Sequence, residues 1–151
     1  MPDLVFRDMV KDDFEQCAKL FISVFNEPPW RDHWTVESAC EMLLDMVLTP
    51  AFWGAVCVEG EQVVGCILGY IEIWHNGPRY FLKGMFISSD HQGQRIGSRL
   101  DDYAKQRLLC MGVKNMYLFT ARDSDAERFY RFNGYIPGEG MILMHYSLED
   151  D

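Results

Sequence analysis

Residues 52–87 hold three apolar runs separated by two short turns, and this block constrains the fold more than any other stretch. Phe52 to Glu59 and Val63 to Trp74 are rich in β-branched residues and flank the turn Glu59-Gly60-Glu61-Gln62. Arg79 to Ile87 follows a second turn, His75-Asn76-Gly77-Pro78. Apolar runs joined by turns this short predict an antiparallel meander. The period then changes. From Ile96, the residues Leu100, Tyr103, Ala104, Leu108 and Met111 fall at helical spacing, and Gly112 ends the helix.

The flanks extend this pattern. Leu4 to Arg7 is a short extended run. Lys11 to Phe25 reads as a helix, with Phe14, Cys17, Ala18, Phe21 and Val24 on one face and Asp12 and Asp13 at its positive end. Asn26-Glu27-Pro28-Pro29-Trp30 breaks it, because two prolines cannot continue a helix. A second helix runs from Thr35, its cap, to about Leu48. Beyond Gly112, Val113 to Thr120 reads as a strand. Ser124 and Glu127 form a capping box that opens a short helix ending at Asn133-Gly134. Gly140 to Leu148 reads as a last strand, and the acidic tail should fray. The order of elements predicts an α/β (α+β mixed) fold, a central mixed sheet with flanking helices. A chain of 151 residues favours one domain, 1–151.

Composition narrows the function. Acidic residues outnumber basic ones 23 to 14, for a net charge of −9. That argues against a nucleic-acid binder and suits a cationic small substrate. No apolar run approaches the roughly 18 residues of a membrane span, and Met1-Pro2-Asp3 opens no secretory leader, so a cytoplasmic protein is expected. The five cysteines (17, 40, 57, 66, 110) are scattered, with no Cys-x-x-Cys, and read as buried thiols. The four histidines (33, 75, 91, 145) have no ligand spacing, so no metal is expected.

The junction from Met85 to Ser98 carries the chemistry. An apolar strand enters the loop Ser88-Ser89-Asp90-His91-Gln92-Gly93-Gln94-Arg95, which opens the helix at Ile96-Gly97-Ser98. A helix start presents free N–H groups that attract phosphates, and Gly93 and Gly97 let backbone approach a ligand. The loop lacks the Gly-Lys-Ser/Thr ending of a P-loop and the Gly-x-Gly-x-x-Gly of a dinucleotide site. Read locally, it is either a plain strand–helix turn or a phosphate cradle.

Gln92-Gly93-Gln94-Arg95-Ile96-Gly97 resembles motif A of the GNAT superfamily of N-acetyltransferases, Gln/Arg-x-x-Gly-x-Gly/Ala. Glu127 to Tyr135 resembles the family's motif B, and the order of elements matches over nearly the whole chain. The resemblance implies a GNAT-like acyl-CoA N-acyltransferase fold with a mostly antiparallel sheet. It implies an enzyme that moves the acetyl group of acetyl-CoA directly to a primary amine, on a small molecule or a protein, without a metal. The alternative within the fold is a non-catalytic acyl-CoA-binding regulator. No nucleic-acid or membrane partner is expected, and a homodimer is admitted.

The resemblance also implies roles. The backbone of Met85, Phe86 and Ile87 would pair with the pantetheine arm like an added strand, with Gly84 as the bulge that opens the gap. Gln92, Gly93, Gln94, Arg95, Ile96, Gly97 and Ser98 would hold the pyrophosphate. Arg95 stands where the family has glycine; a negative φ is expected there, with the guanidinium turned to the phosphates or adenosine. Asp123 falls where an Asn often contacts the pantetheine, or serves only as an acid at a helix start. Tyr130 matches the tyrosine that donates to the departing sulfur; otherwise it is a core aromatic beside Phe129 and Phe132. Glu72, an acid in an otherwise apolar strand, is the candidate base, or a solvent-facing glutamate. His75 and Glu27 are weaker candidates for the base, and Lys83 stands where some relatives carry an acid. Glu27, Trp30 and Trp34, with Asp32, would form the acceptor wall, or a loop that caps the core.

Overall fold

The computed structural model describes residues 3–91 and 93–150. The chain divides into two compact units, Met1–Phe119 and Thr120–Asp151.

The first unit is a sheet with helices on both faces. Its elements are β1 (Leu4–Asp8), α1 (Phe14–Phe25), α2 (Val36–Leu48), β2 (Phe52–Glu59), β3 (Gln62–Glu72), β4 (Arg79–Ile87), α3 (Ile96–Cys110) and β5 (Asn115–Tyr117). The strands lie in sequence order, β1-β2-β3-β4-β5. The first three pairings are antiparallel and β4–β5 is parallel. The uninterrupted apolar runs of β2 and β3 reflect cover on both faces. Val56, Val58, Cys66, Leu68 and Phe86 pack with Cys17, Phe21, Ala39 and Leu43 of α1 and α2. Cys57 and Val64 meet Ile96 of α3 on the opposite face. Gly69 is required between β3 and β4, since a Cβ there would lie 2.2 Å from the Phe81 carbonyl oxygen. The space goes to Tyr80, a buried residue whose hydroxyl donates to the Trp53 carbonyl at 2.8 Å.

Local signals behave as read at several ends. Thr35 caps α2, accepting from the Ser38 N–H at 3.0 Å. The first helix departs from expectation: Lys11–Asp13 is a 3-10 turn, and α-helix begins at Phe14. Asp13 is drawn off by Arg7, whose Nη1 and Nη2 donate to its two carboxylate oxygens at 2.7 and 2.8 Å. That pairing holds the Asp13 carboxyl below its ordinary range, despite the burial that opposes it. The third strand stops at Glu72, leaving Ile73 96% exposed.

The second unit contains α4 (Asp125–Phe132) and no strand among its described residues. The expected strand Gly140–Leu148 is therefore not found; Met141–Leu148 is exposed and makes no ladder. An apolar run becomes a strand only where an edge pairs with it, and the described residues of this unit supply no edge. The strand expected over 113–120 is likewise cut to Asn115–Tyr117. All five cysteines are free thiols, and the expectation of burial fails for Cys110, which is exposed, and for half-buried Cys40.

Candidate functional site

β4 is paired to β5 only at its beginning. Arg79, Tyr80 and Phe81 face Asn115, Met116 and Tyr117, and beyond Phe81 no described strand of this unit covers that edge. The β3–β4 register shifts between Leu68 and Gly69, so Lys83 stands outside it as a bulge beside Gly84. The Ser88 N–H bonds the Val64 carbonyl at 2.8 Å. Strand alternation then turns the backbone groups of Phe86 and Gly84 toward β3 and those of Met85 and Ile87 toward the open edge. The Phe86 side chain is buried in the α1–α2 core.

The open edge leads into the loop. Ser89–His91 forms a 3-10 turn, fixed to β2 where His91 Nε2 lies 3.1 Å from Glu59 Oε1. Gly93 has φ +88 and is exposed, as is Gln94. Gln92 lies outside the described residues. Arg95 is the N-cap of α3 and has φ +59, not the negative φ expected. The chain enters the helix through a left-handed residue, which accounts for the family's glycine at this place; an arginine there costs about 1–2 kcal/mol. Arg99 N–H is the first to bond back into the helix, to the Arg95 carbonyl at 3.0 Å. The N–H groups of Ile96, Gly97 and Ser98 thus have no intrahelical acceptor and lie at the positive end of a 15-residue helix. Ile96 itself is buried and anchors the start.

A second cluster lies at the other end of β4, on the face that α1 and α2 cover. Glu72 and Arg79 are register partners. Glu72 Oε1 accepts from Arg79 Nε at 2.9 Å and from the Tyr117 hydroxyl at 2.8 Å. The Arg79 guanidinium lies 3.6 Å from the Trp74 ring centroid and 4.5 Å from that of Tyr117. Partial burial, and then the bond to Glu72, push the Tyr117 phenol above its ordinary value. Phe81 stacks on Tyr117 with centroids 4.6 Å apart, and the Lys83 ammonium lies 5.0 Å from the Phe81 centroid. Sequence reasoning singled out Glu72 but missed Arg79 and Tyr117. The signal for Arg79 was available, since a base across a short turn from an acid is a natural cross-strand partner.

The α1–α2 loop is tied to this strand through aromatic rings. Trp34 and Trp30 meet Phe21 and Phe25 at 5.0 and 5.1 Å, and both phenylalanines meet Phe86, at 5.5 and 5.9 Å. Trp34 Nε1 donates to Asp32 Oδ2 at 3.0 Å, while Glu27 and Trp30 are exposed. Arg31, Asp32, His33, Trp34 and Ser38 line a shallow depression of about 550 Å³.

In the second unit, Ser124 caps α4 by accepting from the Glu127 N–H at 3.1 Å. The Glu127 carboxylate takes the Asp123 N–H at 2.9 Å, one residue before the position a capping box would give it. Asp123 has φ +59. The helix ends in a Schellman turn at Gly134, φ +93, where the Tyr135 N–H reaches the Tyr130 carbonyl at 3.0 Å. The half-buried Tyr130 ring meets Phe129 at 5.2 Å and Tyr135 at 5.3 Å, edge to face. Phe132, expected in the core, is 73% exposed, because the described residues of this unit have no buried core to receive it.

Among the described residues no group of three His, Cys, Asp or Glu side chains is placed to hold a metal, and no helix is long and apolar enough to cross a membrane.

A mostly antiparallel sheet with an open edge beside a helix start defines the class of fold, and solved structures share it. An aminoglycoside N-acetyltransferase, AAC(6')-Iy, in complex with CoA is 14% identical, with a TM-score of 0.79 over 98% of this chain and 97% of that one. An aminoglycoside acetyltransferase, meta-AAC0020, from an uncultured soil metagenomic sample, in complex with sisomicin, is 19% identical, with a TM-score of 0.77 over 97% of both chains. A transcriptional regulator from Bacillus halodurans C-125 is 22% identical, with a TM-score of 0.77 over 95% of this chain and 100% of that one. No curated protein matches the sequence. The profile of the Acetyltransferase (GNAT) family matches residues 9–135, and the chain belongs to that family.

Proposed function

We propose that this protein is an N-acetyltransferase that moves the acetyl group of acetyl-CoA directly to a primary amine. The observation that carries the reading is the edge of β4 that β5 leaves unpaired beyond Phe81, followed along the chain by the free N–H groups at the start of α3. The residues fit the group. The Met85 and Ile87 backbones can add an extended arm as a strand, and the helix start can take its phosphates. Gly93, Gln94, Arg95, Ile96, Gly97 and Ser98 would form the cradle, with Gln92 beside them. Asp123 would reach the arm as an acceptor only.

When bound, acetyl-CoA supplies a thioester whose carbonyl carbon a neutral amine can attack. The chain's own groups then manage two protons. Glu72, with Oε1 held by Arg79 and Tyr117, would receive the amine proton on Oε2, directly or through water. Tyr130 would donate its phenolic proton to the sulfur as the C–S bond breaks, and would regain one from solvent. Trp30, Trp34 and Glu27 would face the acceptor from the α1–α2 loop.

Release of free thiol from acetyl-CoA, measured over a panel of amines, tests the reading. Amine-dependent release is expected. A second reading, a non-catalytic acyl-CoA-binding regulator, draws support from the commitment of Glu72 to Arg79 and from the similar transcriptional regulator. Acetyl-CoA binding with no thiol release on any amine would favour it.

A further inference from the structure

Lys83 differs from its neighbours in where it stands and in what it lacks. It is the extra residue of the bulge: Gly69 pairs with Leu82 and Leu68 with Gly84, so Lys83 has no cross-strand partner. Bulges re-aim side chains next to functional sites. Here the ammonium is directed back over the Phe81 ring, 5.0 Å from its centroid, toward the Glu72–Arg79–Tyr117 cluster. An extended arm that pairs with β4 from the loop end passes Ile87 and Met85 first. Four residues, about 13 Å at roughly 3.3 Å each, separate Ile87 from Lys83. An arm that reached that far along β4 would end beside the bulge, which would make Lys83 a neighbour of the acceptor.

The charges on this face do not cancel. Glu72 is bound to Arg79, which neutralises both. Among the described residues of Met1–Phe119, no carboxylate lies within 4 Å of the Lys83 ammonium, which is exposed. Strand β4 itself thus offers one uncompensated positive charge, facing the exposed Glu27 that the α1–α2 loop would turn to the acceptor, within a chain whose net charge is −9. A second ammonium on an acceptor would meet repulsion here, and a carboxylate would meet a charge-assisted donor. A nearby cation also favours the neutral form of the amine that must attack.

Resting on the transferase reading, we infer that Lys83 is a specificity-determining residue that selects acceptors carrying a carboxylate on the same small skeleton as the amine, an amino acid rather than a polyamine or an aminoglycoside. The whole-chain charge points the other way, but charges beyond a Debye length of about 8 Å are largely screened, whereas Lys83 stands at the reacting end.

The test uses a panel of amino acids, their carboxamides, spermidine and sisomicin. Thiol release from acetyl-CoA is measured for each, and the amino acids and carboxamides are also titrated by calorimetry into protein saturated with CoA. The expected result is an acid preferred over its own carboxamide by at least tenfold in kcat/KM, with tighter binding of the acid and little turnover of either polycation. Lys83→Met should raise KM for the acid by about 10–100-fold, the worth of a hydrogen bond to a charged group, and abolish the preference in both measurements. Lys83→Glu should reverse it. Equal use of acid and carboxamide, better use of sisomicin, or a preference that survives in Lys83→Met would overturn the inference and leave the transferase standing. No turnover of any amine would remove both.

Discussion

Along β4, the half that runs into the loop offers main-chain groups, while the half that pairs with β5 offers side chains. On the loop side, the open edge at Met85 and Ile87 and the N–H groups of Ile96, Gly97 and Ser98 exist whatever the side chains are. On the other side, Glu72, Arg79, Tyr117, Phe81 and Lys83 form a set of specific contacts. On the proposed function, the difference would let such a fold keep one donor while its acceptors change. Backbone recognition tolerates substitution unless a side chain intrudes. Side-chain recognition is rewritten by each one.

Substitutions at the two ends should therefore behave differently. The largest effect is expected at Glu72. Glu72→Gln should lower kcat by about 10²–10⁴-fold if its carboxylate takes the amine proton, with acetyl-CoA affinity nearly intact. Steady-state kinetics beside calorimetry reads both, and a drop below about tenfold would assign the proton to water or another carboxylate. Tyr130→Phe comes next. It keeps the ring that meets Phe129 and Tyr135, so the melting temperature should stay near that of the parent. Loss of the donor should cut kcat by at least about tenfold, within the range of a positioned acid. Equal kcat with chemistry rate-limiting would leave Tyr130 a packing residue.

A small effect of the opposite sign sharpens the main-chain half. Arg95→Gly should stabilise the protein by about 0.5–1 kcal/mol in urea denaturation, the left-handed strain less the entropy of glycine. Destabilisation would mean that the arginine side chain contributes more at the loop than its backbone costs.

What could be read from sequence follows the same division. The change of period at Ile96, the cap at Thr35, the cap at Ser124 and the stop at Gly134 are local rules, and the structure follows them. The parting of β4 and β5 was legible only through resemblance, since nothing local says that a strand loses its neighbour. Arg95 was read with the wrong backbone because an arginine does not announce a left-handed residue; the loop's path imposes it. Glu72 was legible as an acid out of place, but its partners come from β4 and β5, and pairing across strands is not written in one strand. Met141–Leu148 has the apolar run of a strand and none of its pairing, because composition alone does not supply an edge.

The claim that main chain at the start of α3 holds the donor is tested most directly by titrating acetyl-CoA into the parent and Gly97→Asp proteins by calorimetry. Gly97 lies in the first turn of the helix, half-buried, where an aspartate adds a side chain and a negative charge against phosphates. The account predicts binding to the parent that weakens with added salt, and at least about tenfold weaker binding to a Gly97→Asp protein that still folds. Equal affinity in the two proteins would contradict it and remove the loop from the site.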